Sequence, residues 1–387
     1  MSDQLDGIDA EDVSAWFAQH VSDVQLPLRF DFIAGGHSNL TFAVTEQPAA
    51  DGAEGRRWVL RRPPLGQVLA TAHDVAREHR IISALRGTDV PVPRTVGLSA
   101  DDSVNGAPFY VMDFVEGRVI RAGADAADLG IEERRRAGES IVDVLAAIHA
   151  VDVDAVGLGE LGRKQDYIAR QLKRWYGQFA KSEDQVVGGL DLPLVHTVHE
   201  RLAASIPNQG TASIVHGDYR LDNCMLGDDG SVVAVLDWEI CTLGDPLADV
   251  GLLWVYWSDP DEEPVMPQAS PTALEGFPRK QELVDRYAQV SGRDLSALPY
   301  YVAFGYWKLT CIIAGVYARY AGGAMGDVGD ETVTGFRVMA ERLAEMAEAA
   351  TNEIPRTTAA RTTAARTTAA QTTAARTTAA PSQEPTP

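Results

Sequence analysis

The chain has 387 residues, of which 45% are hydrophobic and 23% are charged, and its formal net charge at pH 7 is −21. This length exceeds what one small core needs, so two domains, or one domain with two lobes, are expected. This acidic surface argues against nucleic acid and anionic membranes as partners. It also means that a phosphate ligand would need a local group of cations or a metal.

The three cysteines, Cys224, Cys241 and Cys311, include no closely spaced pair, which argues against a disulfide framework and against a tetrahedral zinc site. The N-terminus lacks the basic and apolar segments of a secretory signal. The longest apolar runs, such as residues 250–257, fall short of the roughly 18 residues that cross a bilayer. We therefore expect a cytoplasmic protein without a membrane partner.

The part of the chain before residue 120 has the pattern of a β-rich unit. Residues 28–34 and 40–44 are predicted strands on either side of a glycine-rich turn, and residues 56–62 are a third. A helix is predicted at about His73–Leu85 from its apolar periodicity. Residues 106–119 are then predicted to form a strand that leads into a connection.

Helical periodicity dominates from residue 132 onward, and short strand-like segments interrupt it near the middle of the chain. The predicted helices are 132–151, 164–179, 192–204, Pro246–Trp257, Arg279–Ser291, Pro299–Tyr320 and Thr332–Ala350. The strand-like segments are 213–218, 223–227 and 231–238. A small β-rich lobe followed by a larger helical lobe is an α+β architecture.

The C-terminal segment is a break in composition. The five-residue unit RTTAA begins at Arg356, Arg361, Arg366 and Arg376, with QTTAA at Gln371. It contains no large apolar side chain, so it cannot bury enough surface to offset the entropy of ordering it. Residues 351–387 are therefore predicted to be a disordered tail, with an interaction or tethering segment as the alternative.

Residues 213–226, SIVHGDYRLDNCML, place many polar side chains between apolar ends, although buried polar groups are costly without partners. Zinc on His216, Asp218 and Cys224 is one interpretation, but the spacing is loose and no second cluster supports it. A loop whose polar groups satisfy one another is a second. The third joins Asp218 and Asn223 to Asp237, which ends an apolar strand, in an oxygen-rich site suited to Mg²⁺.

The spacing H-G-D-x-x-x-x-N from His216 to Asn223, with an apolar strand ending in Asp237, resembles the aminoglycoside phosphotransferase and choline kinase superfamily, small-molecule relatives of protein kinases. The segments GAPFYVMDFVEG, HGDYRLDN and LDWE are most similar to kinase domains fused to acyl-CoA dehydrogenases. The resemblance covers roughly residues 28–345. It implies a two-lobed, protein-kinase-like fold with a small β-rich N-lobe and a larger, mainly helical C-lobe.

The resemblance also implies boundaries and roles. The nucleotide-binding lobe would span residues 1–112, the connection 113–118, and the lobe with the catalytic loop and the acceptor site 119–350. Asp218 would orient the substrate hydroxyl and accept its proton, while Asn223 and Asp237 would hold Mg²⁺ on the nucleotide phosphates. Asp249 is a candidate to support the catalytic loop.

The N-lobe would bind the rest of the nucleotide. In the glycine-rich turn between the first two strands, the glycines would let backbone N–H groups approach phosphate oxygens closely. An ordinary tight β-turn is the alternative interpretation of this turn. Adenine would lie against the connection, with Val59 as an apolar wall. The turn residues are Gly35, Gly36, His37, Ser38 and Asn39, and the connection residues are Asp113, Phe114 and Val115.

A phosphate-anchoring cation on the third strand must be an arginine, because the chain has no lysine before Lys164. Alternation of side chains places Val59 and Arg61 on the cleft face. Glu78 lies on the apolar face of the predicted helix, where a carboxylate is seldom buried without a partner. Arg61 is the expected partner, and a solvent-exposed Glu78 is the alternative.

The expected activity is transfer of the γ-phosphate of ATP to a hydroxyl of a small molecule, with GTP as a possible donor. The dehydrogenase-fused relatives act on hydroxyacyl-CoA-type substrates, which favours such an acceptor, or another hydroxylated metabolite, over an aminoglycoside. The basic run at 164–175 could face an anionic acceptor or simply solvent. Arginine in place of the family lysine raises the alternative of a nucleotide-binding regulator without turnover. No nucleic-acid or membrane partner is expected, and the chain is expected to be a monomer or homodimer.

Overall fold

The N-terminal lobe is built on a five-stranded antiparallel sheet with the strand order β1-β2-β3-β5-β4. The strands are β1 (Arg29–Ala34), β2 (Leu40–Thr45), β3 (Arg57–Arg62), β4 (Thr95–Ser99) and β5 (Phe109–Asp113). The computed structural model describes residues 5–34, 39–48, 55–65, 74–186, 189–263, 270–322 and 329–355. Gly35, Gly36, His37 and Ser38 of the predicted phosphate turn, and the repeats from Arg356, lie outside the described residues.

The two faces of this sheet pack against different helices. Trp58 and Leu60 of β3 belong to a cluster that includes Phe17 of helix α1 (Ala10–His20). Val59, which points the opposite way, belongs to the cluster that includes helix α2 (Val75–Leu85) and the C-lobe. The alternation predicted for β3 is therefore confirmed, and it turns Val59 toward the cleft.

Helix α2 begins where its sequence provides a cap. The Asp74 side chain accepts a hydrogen bond from Arg77 N at 2.9 Å, which satisfies one of the free N–H groups of the first turn. Its buried face carries apolar side chains such as Ile82 together with the carboxylate of Glu78. This helix is thus the element that positions Glu78 beneath the sheet.

The C-terminal lobe is mainly helical, as predicted. Its helices are α3 (Gly123–Ala127), α4 (Ile131–Ala150), α5 (Tyr167–Gln185), α6 (Pro193–Ala204), α7 (Leu247–Tyr256), α8 (Lys280–Ser291), α9 (Leu298–Ala321) and α10 (Asp330–Thr351). Its short strands are β6 (Arg118–Val119), β7 (Ser213–Val215), β8 (Cys224–Leu226), β9 (Val232–Val235) and β10 (Thr242–Gly244). Large aromatic side chains fill the core, among them Trp238 and Trp307.

Pairing among the short strands assembles the site. Strand β7 pairs with β10, while β8 pairs with both β6 and β9, all antiparallel. In addition, Leu236 N donates to the Asn223 carbonyl at 2.9 Å. The segment after β7 and the segment after β9 are therefore held side by side. This brings the predicted catalytic loop, residues 216–223, next to Asp237.

Helix α9 is the one helix in the described part of the chain that is long and apolar enough to cross a membrane. It has 24 residues, but 78% of its most apolar 18-residue window is buried inside the protein. Helices α5, α7 and α10 pack around it. Its apolar character is therefore accounted for by its place in the C-lobe core.

Candidate active site

The backbone of the catalytic loop is fixed by one buried carboxylate. Asp249, in the first turn of α7, accepts hydrogen bonds from His216 N at 2.7 Å and from Gly217 N at 2.8 Å. Burial acts to raise the pKa of Asp249, but its hydrogen bonds and the neighbouring His149 and His216 outweigh burial and lower it. A permanently ionised Asp249 is thus well placed to hold the loop.

His216 links the loop to the segment that carries Asp237. Its ring Nε2 lies 3.0 Å from the Leu236 carbonyl, and Asp218 N donates to its Nδ1 at 3.4 Å.

Burial raises the pKa of the Cys224 thiol to about 12, so this cysteine is a protonated core side chain. The described residues contain no cluster of three His, Cys, Asp or Glu side chains suited to a metal. The zinc interpretation therefore finds no support in the geometry.

Asp218 and Asn223 are in direct contact. The Asn223 side-chain amide donates to the Asp218 carbonyl at 2.8 Å and to Asp218 Oδ2 at 3.0 Å. Arg220 Nε lies 3.5 Å from Asp218 Oδ2 and 2.9 Å from Asp222 Oδ1. Burial opposes the charge of Arg220, but these carboxylates outweigh it and raise its pKa. The loop therefore holds Asp218 between an amide donor and a cation.

Asp237 adopts a conformation that is rare for a residue with a side chain. Its φ is +61°, in the left-handed region, and such backbone strain tends to persist at functional sites. Its Oδ1 is buried without a hydrogen-bond partner among the described residues and lies 3.7 Å from Arg61 Nη2. Arg61 lies at ion-pair distance but beyond hydrogen-bond distance, so this carboxylate oxygen is available to bind a cation or another ligand.

The donor set around Asp237 suits magnesium. Because the Asn223 nitrogen is used by Asp218, its amide oxygen is left to act as a ligand. Asp237 follows Leu236, whose N–H donates to the Asn223 carbonyl, and its Oδ1 has no hydrogen-bond partner among the described residues. Two protein oxygens are few, and Mg²⁺ bound in this way takes its other ligands from water and phosphates. The residues therefore fit the predicted ion.

Arg61 and Glu78 form the predicted ion pair. Arg61 Nε lies 3.3 Å from Glu78 Oε2, and the Glu78 side chain is 1% exposed. Asn39 also approaches this carboxylate, with Nδ2 3.5 Å from Oε2. Burial disfavours the charge of Arg61, but Glu78 and Asp237 raise its pKa. Arg61 is therefore a permanent cation at the point where N-lobe and C-lobe carboxylates meet.

The connection between the lobes is extended and partly engaged. Asp113 N donates to the Arg94 carbonyl at 2.8 Å, and the two side chains form a bidentate ion pair at 2.6 and 2.8 Å. Phe114 N donates to the Arg57 carbonyl at 3.2 Å. No described residue accepts from Val115 N, so that group is a candidate backbone donor for a ligand of this segment.

Three neighbours of the site were not predicted. Lys308 of α9 donates to the Gly217 carbonyl at 2.7 Å. Burial raises the pKa of the Tyr256 hydroxyl, and the nearby Asp218 carboxylate raises it further. Glu239 lies two residues beyond Asp237, and burial together with Asp237 raises its pKa to about 7. No motif marks Lys308 or Tyr256, because both lie in apolar helices that read as core.

Comparisons with known proteins identify the family of the chain. The model of the phosphotransferase enzyme family matches residues 29–283. Acyl-CoA dehydrogenase family member 10 of Mus musculus is 34% identical over 84% of this chain and 29% of its own length. Acyl-CoA dehydrogenase family member 11 of Homo sapiens is 31% identical over 81% of this chain and 39% of its own length. The chain therefore spans only about three to four tenths of these relatives.

Solved structures extend the similarity to the whole fold. A Ralstonia eutropha JMP134 structure, named as a candidate aminoglycoside phosphotransferase, is 31% identical, with a TM-score of 0.73 over 90% of this chain and 99% of its own. The streptomycin–ATP complex of APH(2")-IIa shares the fold alone, at 15% identity and a TM-score of 0.53 over 80% of this chain and 91% of its own. With more than half of its residues matched by the family model, this chain belongs to the phosphotransferase enzyme family, whose members phosphorylate hydroxyl groups of small molecules.

Proposed function

We propose that this phosphotransferase moves the γ-phosphate of ATP to a hydroxyl of a small acceptor. The observation that supports this most directly is the convergence of both lobes on one place. Arg61, paired with Glu78 in the N-lobe, has its Nη2 3.7 Å from Asp237 Oδ1. Asp237 in turn follows Leu236, whose N–H donates to the carbonyl of Asn223, the residue that contacts Asp218. Such a cleft can hold phosphates on one side and an acceptor on the other.

In this proposal Asp218 is the catalytic residue. It accepts the hydroxyl proton as the acceptor oxygen bonds to the γ-phosphorus and the bond from that phosphorus to the β-phosphate oxygen breaks. Asn223 and Arg220 fix the carboxylate through Oδ2. Most of the rate gain would come from positioning and from electrostatic stabilisation, as is usual in phosphoryl transfer.

Asn223 and Asp237 would hold the magnesium ion, with Arg61 as a second, fixed positive charge. When bound, the ion neutralises charge on the nucleotide phosphates. Structures with the same fold include an ATP complex and a complex with GDP and kanamycin, so GTP stays open as an alternative donor. The Val115 N–H and the buried side chain of Val59 are the candidates to contact the base.

For the acceptor we propose a hydroxyacyl-CoA or another hydroxylated anionic metabolite rather than an aminoglycoside. The curated relatives are named as acyl-CoA dehydrogenase family members. Near the proposed catalytic residue, Arg220 Nε lies 3.5 Å from Asp218 Oδ2. Helix α5, whose Trp175 ring centre lies 5.5 Å from Lys308 Nζ, exposes Arg174. Cations so placed favour an anionic acceptor over a polycationic one.

The test combines an acceptor panel with a charge-neutralising variant. Purified protein is incubated with Mg-ATP and a hydroxyacyl-CoA, the free hydroxy acid or an aminoglycoside, and acceptors that gain one phosphate are identified by mass spectrometry. Asp218→Asn should lower turnover by about 10³-fold or more while nucleotide binding persists. Asp229→Asn, an exposed site between β8 and β9, is the matched control and should behave as wild type.

Two outcomes would contradict the proposal. An Asp218→Asn enzyme with near wild-type turnover would remove Asp218 from the reaction. Wild-type protein that binds Mg-ATP but phosphorylates no hydroxyl compound would instead favour the regulator without turnover. Phosphorylation of the aminoglycoside alone would leave the reaction intact and overturn only the proposed acceptor.

A further inference from the structure

Helix α9 carries a lysine in the interior of the C-lobe. Lys308 is 7% exposed, and its neighbours along the helix include the buried Trp307 and Leu309. Lysine is almost never buried without a partner, because desolvating an ammonium group is costly. Within the described residues, no carboxylate lies within 4.0 Å of its Nζ, so an ordinary ion pair does not account for it.

The partner of Lys308 is a backbone carbonyl of the catalytic loop. Nζ donates to the Gly217 oxygen at 2.7 Å and lies 5.5 Å from the Trp175 ring centre on α5. Burial lowers the pKa of Lys308, whereas Asp218 and Asp249 favour its charged form and Arg174 adds to the lowering. The ammonium group thus contacts the loop at the peptide group that immediately precedes Asp218.

Gly217 needs this restraint more than an ordinary residue would. Its φ is +86°, a conformation open to glycine but strained for residues with a Cβ. Its carbonyl belongs to the peptide plane that ends at Asp218 N, so rotation of that plane would redirect the Asp218 side chain. Asp249 holds the Gly217 N–H at 2.8 Å and Lys308 holds the carbonyl, so the residue is fixed at both of its peptide groups.

We propose that Lys308 is a positioning residue for phosphoryl transfer, which fixes the peptide plane between Gly217 and Asp218 and so aims the Asp218 carboxylate at the acceptor hydroxyl. This inference rests on the proposed function of Asp218. It assigns Lys308 no contact with nucleotide or acceptor. Its loss should therefore lower kcat and leave both KM values nearly unchanged.

The experiment compares three substitutions. Lys308→Met removes both charge and donor with little change in volume, Lys308→Gln keeps a donor without the charge, and Lys308→Arg keeps both. In Lys308→Met we expect kcat to fall on the order of 100-fold, because small displacements of reacting groups have effects of that size. Either Lys308→Arg or Lys308→Gln should recover at least a tenth of the wild-type kcat, since each can again donate to Gly217.

Controls separate positioning from folding and from binding. Circular dichroism and the thermal shift with Mg-ATP establish that each variant is folded, and Lys308→Leu, which also lacks the charge and the donor, replaces Lys308→Met if the latter does not fold. A wild-type kcat in the folded variant, or an unchanged kcat with a raised acceptor KM, would overturn the inference.

The double variant Lys308→Met/Asp218→Asn should be no slower than Asp218→Asn alone, because Lys308 acts through Asp218. If Asp218→Asn is inactive while Lys308→Met is fully active, this inference fails and the proposed function stands. If wild-type protein transfers no phosphate, both fail together.

Discussion

At the scale of single residues, the Arg61–Glu78 pair makes a prediction in which stability and activity separate. Arg61→Met leaves the Glu78 carboxylate, 1% exposed, without its cation, and breaking a buried pair in this way costs about 3–5 kcal/mol. It also removes the fixed positive charge near Asp237. We expect a lower midpoint of chemical denaturation and a loss of kcat/KM of about 100-fold or more.

The double variant Arg61→Met/Glu78→Leu distinguishes the two effects. Apolar side chains of similar volume often replace a buried pair without loss of stability, so the denaturation midpoint should return toward wild type. Activity should not return, because no cation remains to meet the phosphates from β3. Recovery of both would show that the pair serves folding alone, and an active single variant would remove Arg61 from the site.

Contacts between residues that are close in the sequence were predictable from a motif, whereas contacts between residues far apart in the sequence were not. The spacing from Asp218 to Asn223 and the strand before Asp237 were sufficient to name the centre of the site. Lys308 was not predictable, because its contact with Gly217 joins residues 91 positions apart and leaves no periodic or motif signal. Asp249 was named by resemblance alone, and only the fold reveals that it accepts two loop N–H groups.

At the scale of elements, helix α2 carries Glu78 and is also anchored to the C-lobe. Arg77 donates to the carbonyls of Cys241, Leu161 and Glu239, the last two at 3.5 and 3.4 Å. One turn on, Arg80 donates to the Gly157 carbonyl at 2.8 Å. Arg77 therefore connects the helix to the segment that follows Asp237, and Arg80 connects it to the segment between α4 and α5.

We therefore expect Arg77→Met to loosen α2 and misplace Glu78. Hydrogen bonds from a charged donor contribute about 1.5–3 kcal/mol each, so a loss of about 2 kcal/mol in the free energy of unfolding is expected. A roughly tenfold lower kcat/KM should accompany it, measured with saturating acceptor. Arg86→Met, at the exposed C-cap of the same helix, is the matched control, and equal behaviour of the two variants would contradict the anchoring role.

Helix α1 and strand β4, which were not predicted from the sequence, differ in how clearly their residues indicate a secondary structure. Helix α1 has a readable one, because Val13, Trp16 and Phe17 share a buried face and Asp9 caps the first turn. Strand β4, Thr95–Ser99, has almost none: it is short, contains a glycine, and its register shifts between Thr95 and Gly97. Its place in the sheet is set by pairing with β5, which a single sequence does not reveal.

At the scale of the whole molecule, the net charge of −21 is unfavourable for binding the anionic nucleotide that we propose as a substrate. The carboxylates near the proposed phosphate site include Glu78, Asp218, Asp222 and Asp237, and the cations that lie within 4.0 Å of them are Arg61 and Arg220. Nucleotide phosphates without a metal would therefore meet more negative than positive charge. Electrostatics predicts that nucleotide and magnesium bind together.

This dependence should appear as a thermal shift. Because both lobes contribute residues to the site, a bound nucleotide stabilises the folded protein by about 2.7 kcal/mol at 100 times its Kd. We expect that gain, a rise of several degrees in Tm, with Mg-ATP and little of it with ATP in EDTA. Asp237→Asn should lose most of the magnesium-dependent part, since it removes the negative charge of an oxygen that has no hydrogen-bond partner among the described residues.

The same measurement on Asp229→Asn controls for the loss of one negative charge away from the cleft, and its shift should equal that of wild type. An equal shift with ATP in EDTA would show that Arg61 and backbone groups suffice for the phosphates, and it would remove the metal role of Asn223 and Asp237. A shift that requires magnesium but survives Asp237→Asn would instead place the ion elsewhere. Only the joint loss, on chelation and on substitution, assigns the ion to the segment where the two lobes meet.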